Sequence, residues 1–498
     1  MNIISLYIED YKLLKKFTVN FQKDITILIG VNGSGKSTIL ECIAQIFSDV
    51  FLRQPSKFGF RLEYQLQLEE TFSQTSVTAE SKVRHITVHL FSDQSNETIG
   101  VRVLEGETVL EKEQEIEKHF GSLEIILPSN IVIYYSGQTE IMKQLCLPHD
   151  EKLSSSFRKW ETDVPRPFFY FEPALFEIIL LTLLSYEFGE IPYFLQQRAK
   201  IDGVHNIQII LKKPTWAKDK IDNWWGAKGE VKTFLDYLDQ LSQPLMIEKD
   251  EQQSTGNVAI EAWQNDSLII TIIGQEKLFE IRDYFREEKT FFKVLNTLYI
   301  DGFAPEIKFS LIAYTESQST GYFSILSEGE QQAITIRGLV ELVTNKNTLF
   351  LFDEPDTYLH PSWQRNFIED INSLFVKNEH TTSQFLITTH SPQLLSNADP
   401  ERSDVQIMED GEIVKITPKY YGRDISTILY EMMGVERRNQ KIAKLLSVLF
   451  NYIEDEDLLN SKKEYLRLIE ILGEDDPAII RAKTQLDYLQ ESKNEENK

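Results

Sequence analysis

The chain has 498 residues, 42% of them hydrophobic, and a formal net charge of −25 at pH 7. That length allows two or three packed units, and no apolar run approaches the roughly 20 residues a membrane span needs. So acidic a surface repels DNA and anionic membranes, which restricts any nucleic-acid contact to local basic patches. The two cysteines, Cys42 and Cys146, and a start that lacks signal-peptide character suit a reducing cytoplasm without a disulfide framework.

The first twenty residues alternate apolar and polar, which predicts a hairpin turning at Asp10–Lys16. Ile25 to Ile29 is a β-branched apolar run suited to a buried parallel strand. A helix follows from about Ser37 to Phe47. Residues 60–70, 82–92 and 98–110 alternate again and predict an antiparallel β-subdomain, with Gly106 in a turn. Ile131 to Gly137 reads as a second buried strand. Residues 150–315 carry PRPFFYFEP, a long apolar helix near 173–187 and several tryptophans, without sustained heptads. This stretch is expected to be a mostly helical insertion with a few strands, such as 207–211 and 267–273. Helix 331–343, strand 348–355, helix 361–375, strand 384–391 and a hairpin at 405–416, turning on Asp410-Gly411, then alternate. Beyond Tyr421 the pattern is helical, with Gly473 ending one helix and Asp476-Pro477 starting the next. The expected divisions are therefore 1–149, 150–315, 316–420 and 421–498.

Gly30 to Ser37 fit G-x-x-x-x-G-K-[ST] between a strand and a helix. Gly30, Asn32, Gly33, Ser34, Gly35, Lys36, Ser37 and Thr38 are the candidate phosphate contacts. Glycines let backbone N–H groups turn inward, and the helix N-terminus adds positive potential. Lys36 would reach the β- and γ-phosphates of ATP, and Ser37 would offer its hydroxyl to Mg²⁺. The run LFLFDEP ends a second buried strand in two carboxylates. Asp353 would meet the same Mg²⁺, and Glu354 would polarise the attacking water. A capping turn is the plainer reading of that carboxylate pair, but buried unpaired charge is costly. Lys212, Lys213, Lys218 and Lys220 surround Trp216, with Trp224 and Trp225 close by. Such a group can stack on bases and contact phosphate, or consist of core tryptophans with solvated lysines.

ILSEGEQQ, residues 325–332, resembles the signature sequence of the ATP-binding-cassette superfamily. Taken alone, SEGE is also a capping box. The resemblance implies that Ser327, Gly329 and Glu330 cap the γ-phosphate held by a second subunit. It likewise implies that His390, at the end of ITTH, contacts the γ-phosphate, and that Gln138, after IVIYYSG, senses Mg²⁺ and water. The order of phosphate loop, glutamine loop, insertion, signature, DE strand and histidine strand resembles ATPases of the SMC, RecF and OLD type. DEPDTYLHP is similar to the RecF/OLD form, with no Toprim pattern after residue 420; the acidic run 454–457 reads as a solvated loop. The implied fold class is an α/β P-loop NTPase head of the ABC/SMC type with a β-subdomain, the insertion and a C-terminal helical region.

YYSGQTE, PFFYFEP, YGRDISTIL and GEDDPAIIRAKTQLDYL are similar to stretches of Septu-type anti-phage ATPases. That resemblance implies an ATPase of an anti-phage complex, a homodimer or higher homo-oligomer closing around ATP, and a separate nuclease subunit of the HNH type. Residues 421–498 are the expected docking region. A RecF-like repair ATPase and a transporter subunit are the alternative readings.

Overall fold

The computed structural model describes residues 1–70, 82–93, 98–137, 140–159, 166–218, 221–243, 257–263, 266–314, 321–377, 382–415, 417–434 and 438–496. The chain divides into two compact units, Met1–Gly422 and Arg423–Lys498.

In the first unit, β1 (Asn2–Tyr11) and β2 (Leu14–Asn20) form the expected hairpin. β3 (Ile25–Gly30) follows, and α1 (Lys36–Leu52) leaves the phosphate loop. The helix runs past Phe47 because Ser48, Asp49 and Val50 are also buried, and it stops where Arg53 turns left-handed. β4 (Phe60–Glu70), β5 (Lys82–Ser92), β6 (Gly100–Glu105) and β7 (Thr108–Leu110) extend the hairpin. The result is a six-stranded antiparallel sheet in the order β2-β1-β4-β5-β6-β7. Alternation along these strands puts Leu6, Ile8, Leu62, Tyr64, Val88 and Val103 in one buried face. That face packs on α1, with the Phe47 and Tyr64 rings edge to face at 5.4 Å.

After α2 (Glu113–Phe120), β8 (Asn130–Tyr135) returns to the core, and α3 (Ile141–Arg158) and β9 (Phe168–Tyr170) follow. The insertion then supplies α4 (Phe176–Leu184), α5 (Glu190–Ala199), β10 (Ile201–Lys212), α6 (Gly229–Leu241), β11 (Val258–Trp263), β12 (Ser267–Ile273), α7 (Gln275–Tyr284), α8 (Glu288–Ile300), β13 (Glu306–Ala313) and β14 (Tyr322–Phe323). Its strands join in one antiparallel sheet, β11-β12-β10-β13-β14. The expected boundary at residue 150 falls inside α3, which continues as one helix. The chain also re-enters the core at β9 before the insertion proper begins.

The core closes with α9 (Glu328–Val343), β15 (Thr348–Asp353), α10 (Pro361–Lys377), β16 (Gln384–Thr388), α11 (Pro392–Ser396), β17 (Ser403–Glu409) and β18 (Glu412–Ile413). Seven strands lie in the order β18-β17-β3-β16-β15-β8-β9, all parallel except the edge strand β18. β3 and β15 are buried at every residue, as sandwiched parallel strands must be. They therefore read as unbroken apolar runs.

The second unit holds α12 (Ile425–Met433), α13 (Gln440–Glu454), α14 (Leu458–Leu472) and α15 (Pro477–Glu496). Leu446, Leu449, Ile453, Leu468, Ile479 and Leu486 form its core. Gly473 caps α14, and the Asp476 carboxylate accepts from the Ala478 N–H at 2.8 Å at the start of α15. Leu459, Leu466, Ile480 and Tyr488 stay more than half exposed.

Candidate nucleotide site

The phosphate loop runs from the end of β3 into α1. Its glycines are constrained partly from behind. A Cβ on Gly30 would lie 2.2 Å from the Met408 carbonyl oxygen on β17, and one on Gly35 would lie 3.2 Å from the Met408 side chain. Both also have positive φ, 153° and 107°. The turn between β17 and β18 touches the loop as well, through the Gly411 N–H donating to the Ser34 carbonyl at 3.1 Å. The wall thus comes from a hairpin almost four hundred residues further along, which local spacing does not encode.

Lys36 is 5% exposed, and its ammonium donates to the carbonyls of Gly30 at 3.0 Å and Val31 at 3.2 Å. Burial lowers its pKa, against the pull of Glu354 and Asp353. The Ser34 hydroxyl is buried without a hydrogen-bond partner, an orphan in a loop whose function calls for an oxyanion. Asn32 and Gly33 are exposed, and Thr38 is half-buried.

β15 and β16 deliver the remaining groups. The Ser37 hydroxyl donates to Asp353 Oδ1 at 2.8 Å, and the Thr388 hydroxyl donates to the same oxygen at 2.5 Å. Burial raises the Asp353 pKa, while the bonds from Thr388 and Ser37 oppose it. A serine hydroxyl and a carboxylate in contact form a hard-oxygen pair, the donor type that suits Mg²⁺. Glu354 adopts φ 50°, a left-handed conformation unusual outside glycine. Its N–H is held by both the carbonyl and the hydroxyl of Thr388, each at 3.1 Å. Glu354 Oε1 lies 3.2 Å from His390 Nε2. That hydrogen bond is the largest cause lowering the Glu354 pKa, so the carboxylate is ionised at neutral pH.

Lys36, Ser37, Asp353, Glu354 and His390 therefore meet at the C-terminal ends of β3, β15 and β16, where open parallel sheets bind ligands. Ser327 stands apart from this group. It is exposed and caps its own helix: Glu330 Oε2 accepts from the Ser327 N–H at 2.8 Å and from its hydroxyl at 2.7 Å. The reciprocal capping box is therefore present, and the Glu330 carboxylate occupies the serine hydroxyl. Gly329 packs against the loop after Glu354, where a Cβ would lie 3.0 Å from the Tyr358 carbonyl oxygen. Gln138 lies outside the described residues.

The tryptophan group of the insertion does not form a stacking platform. Trp225 is buried, the Trp216 indole N–H donates to the Asp301 carbonyl at 2.6 Å, and Trp224 donates to Asp236 Oδ1 at 2.7 Å. These rings pack the insertion; Lys220 lies outside the described residues. Among the described residues no helix is long and apolar enough to cross a membrane.

Two nearby residues were not singled out from sequence. Asp356 is 4% exposed, bonded to the Thr389 hydroxyl at 2.8 Å, with its pKa pushed up to about 6 by burial. Gln332, on α9, is buried between β8 and the loop after β15. Apart from DEPDTYLHP and the two glutamines after the signature, nothing in the sequence marks them.

The chain is similar to the retron Vc95 probable ATPase of Vibrio cholerae, with 22% identity over 90% of this chain and 82% of that one. It is 29% identical to the retron Ec83 probable ATPase of Escherichia coli over 32% of this chain, a match spanning 31% of that protein's length. The Septu protein PtuA of Bacillus thuringiensis is 28% identical over 33% of this chain and 46% of its own. Among solved structures, the SMC head domain from Thermotoga maritima matches with 14% identity, 84% coverage of this chain, 100% of that chain and a TM-score of 0.31. Residues 1–395 match the family model described as an AAA ATPase domain, and the chain, an α/β P-loop NTPase, belongs to that family of ATPases.

Proposed function

We propose that the chain binds ATP and hydrolyses it in head-to-head dimers, and that it serves as the ATPase subunit of an anti-phage complex with a separate nuclease. The observation that carries the hydrolytic reading is the 2.8 Å contact between Ser37 of the phosphate loop and Asp353 of β15, 316 residues apart in sequence. It sets Glu354 and His390 beside Lys36. When Mg²⁺ is bound, Ser37 and Asp353 would hold it and it would neutralise charge on the phosphates. Lys36 leaves the loop carbonyls for the β- and γ-phosphates, and the Ser34 hydroxyl gains a phosphate oxygen. Glu354 accepts the proton of the attacking water, while His390 holds the carboxylate and faces the γ-phosphate. Gln138 is the expected water-sensing residue.

The exposed position of Ser327 supports dimer closure, because among the described residues Ser327 and Glu330 bond each other rather than the phosphate loop of their own chain. Turning Glu330 away would free Ser327 for the second subunit's γ-phosphate, with ATP shifting the equilibrium between open and closed pairs. The defence role and a cytoplasmic location rest on the relatives named as retron and Septu proteins. The nuclease, expected to be of the HNH type, is supported by the Septu resemblance and by a shorter similarity, 38% over 58 residues, to a protein named endonuclease GajA from Bacillus cereus. DNA contact, if the complex makes it, uses local basic patches, given the net charge of −25.

Glu354→Gln tests the centre of this reading. Turnover is expected to fall by at least about 10²-fold with ATP binding retained. Wild-type turnover in that variant refutes the assignment of Glu354 as the base. In parallel, Lys36→Ala is expected to weaken ATP binding itself.

A further inference from the structure

Gln332 sits on α9, five residues after the serine of the signature. It is 4% exposed, and a buried amide needs a partner for each end. Its Nε2 donates to the Tyr134 hydroxyl on β8 at 3.1 Å. Its Oε1 accepts the Tyr358 N–H at 2.9 Å, in the short loop between Glu354 and α10. The carbonyl of the same residue lies where a Cβ on Gly329 would approach within 3.0 Å. α9 therefore grips the Tyr358 N–H through Gln332, while Gly329 leaves room for the Tyr358 carbonyl. The grip is on the backbone, since the Tyr358 side chain is 56% exposed.

The other end of the amide reaches β8. The Tyr134 ring stacks on Phe171 at 5.4 Å with an interplanar angle of 20°, and meets Phe352 of β15 edge-on at 6.0 Å. Phe171 directly follows β9, and its N–H donates to the Ile133 carbonyl at 2.9 Å. It stands where the chain leaves the core sheet for the insertion. Phe171, Tyr134, Gln332 and Tyr358 thus form one continuous line from the root of the insertion to the loop that carries Glu354. YYSG and PFFYFEP supply its first half.

We propose that Gln332 is a positioning residue for hydrolysis. It holds the Tyr358 peptide, and with it the left-handed turn at Glu354, and through Tyr134 it ties that turn to the insertion. The inference rests on the reading of Glu354 as the base. The loop is pinned elsewhere by Thr388 and Thr389, so losing Gln332 moves the carboxylate without releasing the strand. Misplacement of a reacting group by about 1 Å can cost about 10²-fold in rate.

The test uses the full chain and three substitutions. Gln332→Met keeps the length of the side chain and leaves both the Tyr358 N–H and the Tyr134 hydroxyl without a partner. Gln332→Glu keeps an acceptor for the N–H, and the Tyr134 hydroxyl can turn to donate to it. Tyr134→Phe removes only the hydroxyl and is the milder change should the methionine variant fold poorly. Single-turnover hydrolysis, nucleotide affinity and melting temperature are measured for each. The methionine variant is expected to lose about 10- to 100-fold in kcat with ATP affinity within about twofold of wild type, the pattern of an interaction that matters in the transition state. The glutamate variant recovers most of that loss, and Tyr134→Phe falls between. Parallel loss of affinity, melting temperature and rate in both the methionine and phenylalanine variants overturns the inference. So does a glutamate variant no faster than the methionine one. Wild-type turnover in Gln332→Met beside an inactive Glu354→Gln removes the positioning role alone and leaves the hydrolytic reading standing.

Discussion

Gly338 lies in the middle of α9, where glycine is ordinarily a poor choice. Replacing a helical glycine by alanine gains about 1 kcal/mol from the backbone alone. The packing reverses the expected sign. A Cβ at Gly338 would lie 2.2 Å from Ile179 Cγ2 and 3.4 Å from Leu183 Cδ1, both on α4 and both fully buried. Ile179 Cγ2 would have to retreat by well over about 1 Å to reach the roughly 3.5–4.0 Å of an ordinary carbon–carbon contact. Because isoleucine is stiff at χ1 in a helix, its backbone has to move with it. Overpacking of this kind costs about 1–3 kcal/mol, and the upper part of that range applies here. Gly338→Ala should therefore destabilise the first unit by about 1–2 kcal/mol after the propensity gain. All six tryptophans fall before Arg423, so urea unfolding followed by tryptophan fluorescence reports on that unit alone. The decisive measurement repeats the substitution in an Ile179→Ala background, where the obstructing methyl is gone. There Gly338→Ala should stabilise by about 1 kcal/mol, a coupling of about 2–3 kcal/mol between the two positions. A stabilising Gly338→Ala in the otherwise wild-type protein, or the same effect in both backgrounds, refutes the packing argument.

Three further outcomes are expected. A mixture of Lys36→Ala and Ser327→Arg chains should recover one competent composite site; mixed dimers no more active than either parent would rule out a signature acting in trans. Removing residues from about 436 onward should leave nucleotide binding intact while abolishing association with a partner chain, because α13–α15 keep Leu459, Leu466, Ile480 and Tyr488 exposed. Retained full-affinity assembly would move the docking surface elsewhere. His149, bonded to Ser48 at 2.8 Å and stacked on Phe168, has its pKa lowered to about 4 by burial. Between its ordinary value near 6.5 and about 4 the unfolded chain takes up a proton that the folded chain refuses, so stability falls as pH falls. His149→Gln should escape up to about 3 kcal/mol of that acid loss, and identical pH slopes for the two proteins would contradict the burial argument.

The parts of this molecule visible in its sequence are those written in local period and short motifs. The alternation of β1, β2 and β4–β7, the apolar runs of β3, β8, β15 and β16, and the helical stops at Gly473 and Asp476 all express interactions between near neighbours. The phosphate-loop and DEP residues were legible for the same reason, since each motif carries its own strand and turn. What stayed hidden depends on which distant residues meet. The adjacent glutamines show this well. Gln331 bonds the nearby Leu326 carbonyl, whereas Gln332 faces inward to Tyr134 and Tyr358, and nothing in the order QQ separates them. PFFYF reads as part of the insertion expected from residue 150, because no local signal says that β9 pairs with β8. Strands at 207–211 and 267–273 are legible singly, but the five-stranded sheet is centred on β10, whose partners on β12 and β13 lie more than fifty residues away.

The position of β17 bears on how the chain is born. β3 and the phosphate loop emerge from the ribosome early, yet β3 acquires its two neighbours only with residues 384–388 and 403–409, and the loop gains its wall at Met408 and Gly411. At about 5–20 residues per second, the interval between the loop and that wall is roughly 20 seconds to over a minute. Until residues 384–388 are made, ITILI is a bare apolar strand with both edges open, the kind of segment that pairs with the wrong chain. A nascent chain halted before residue 403 lacks one flank of the nucleotide-binding strand, and translation speed across residues 39–411 therefore bears directly on how much of the protein reaches its native state.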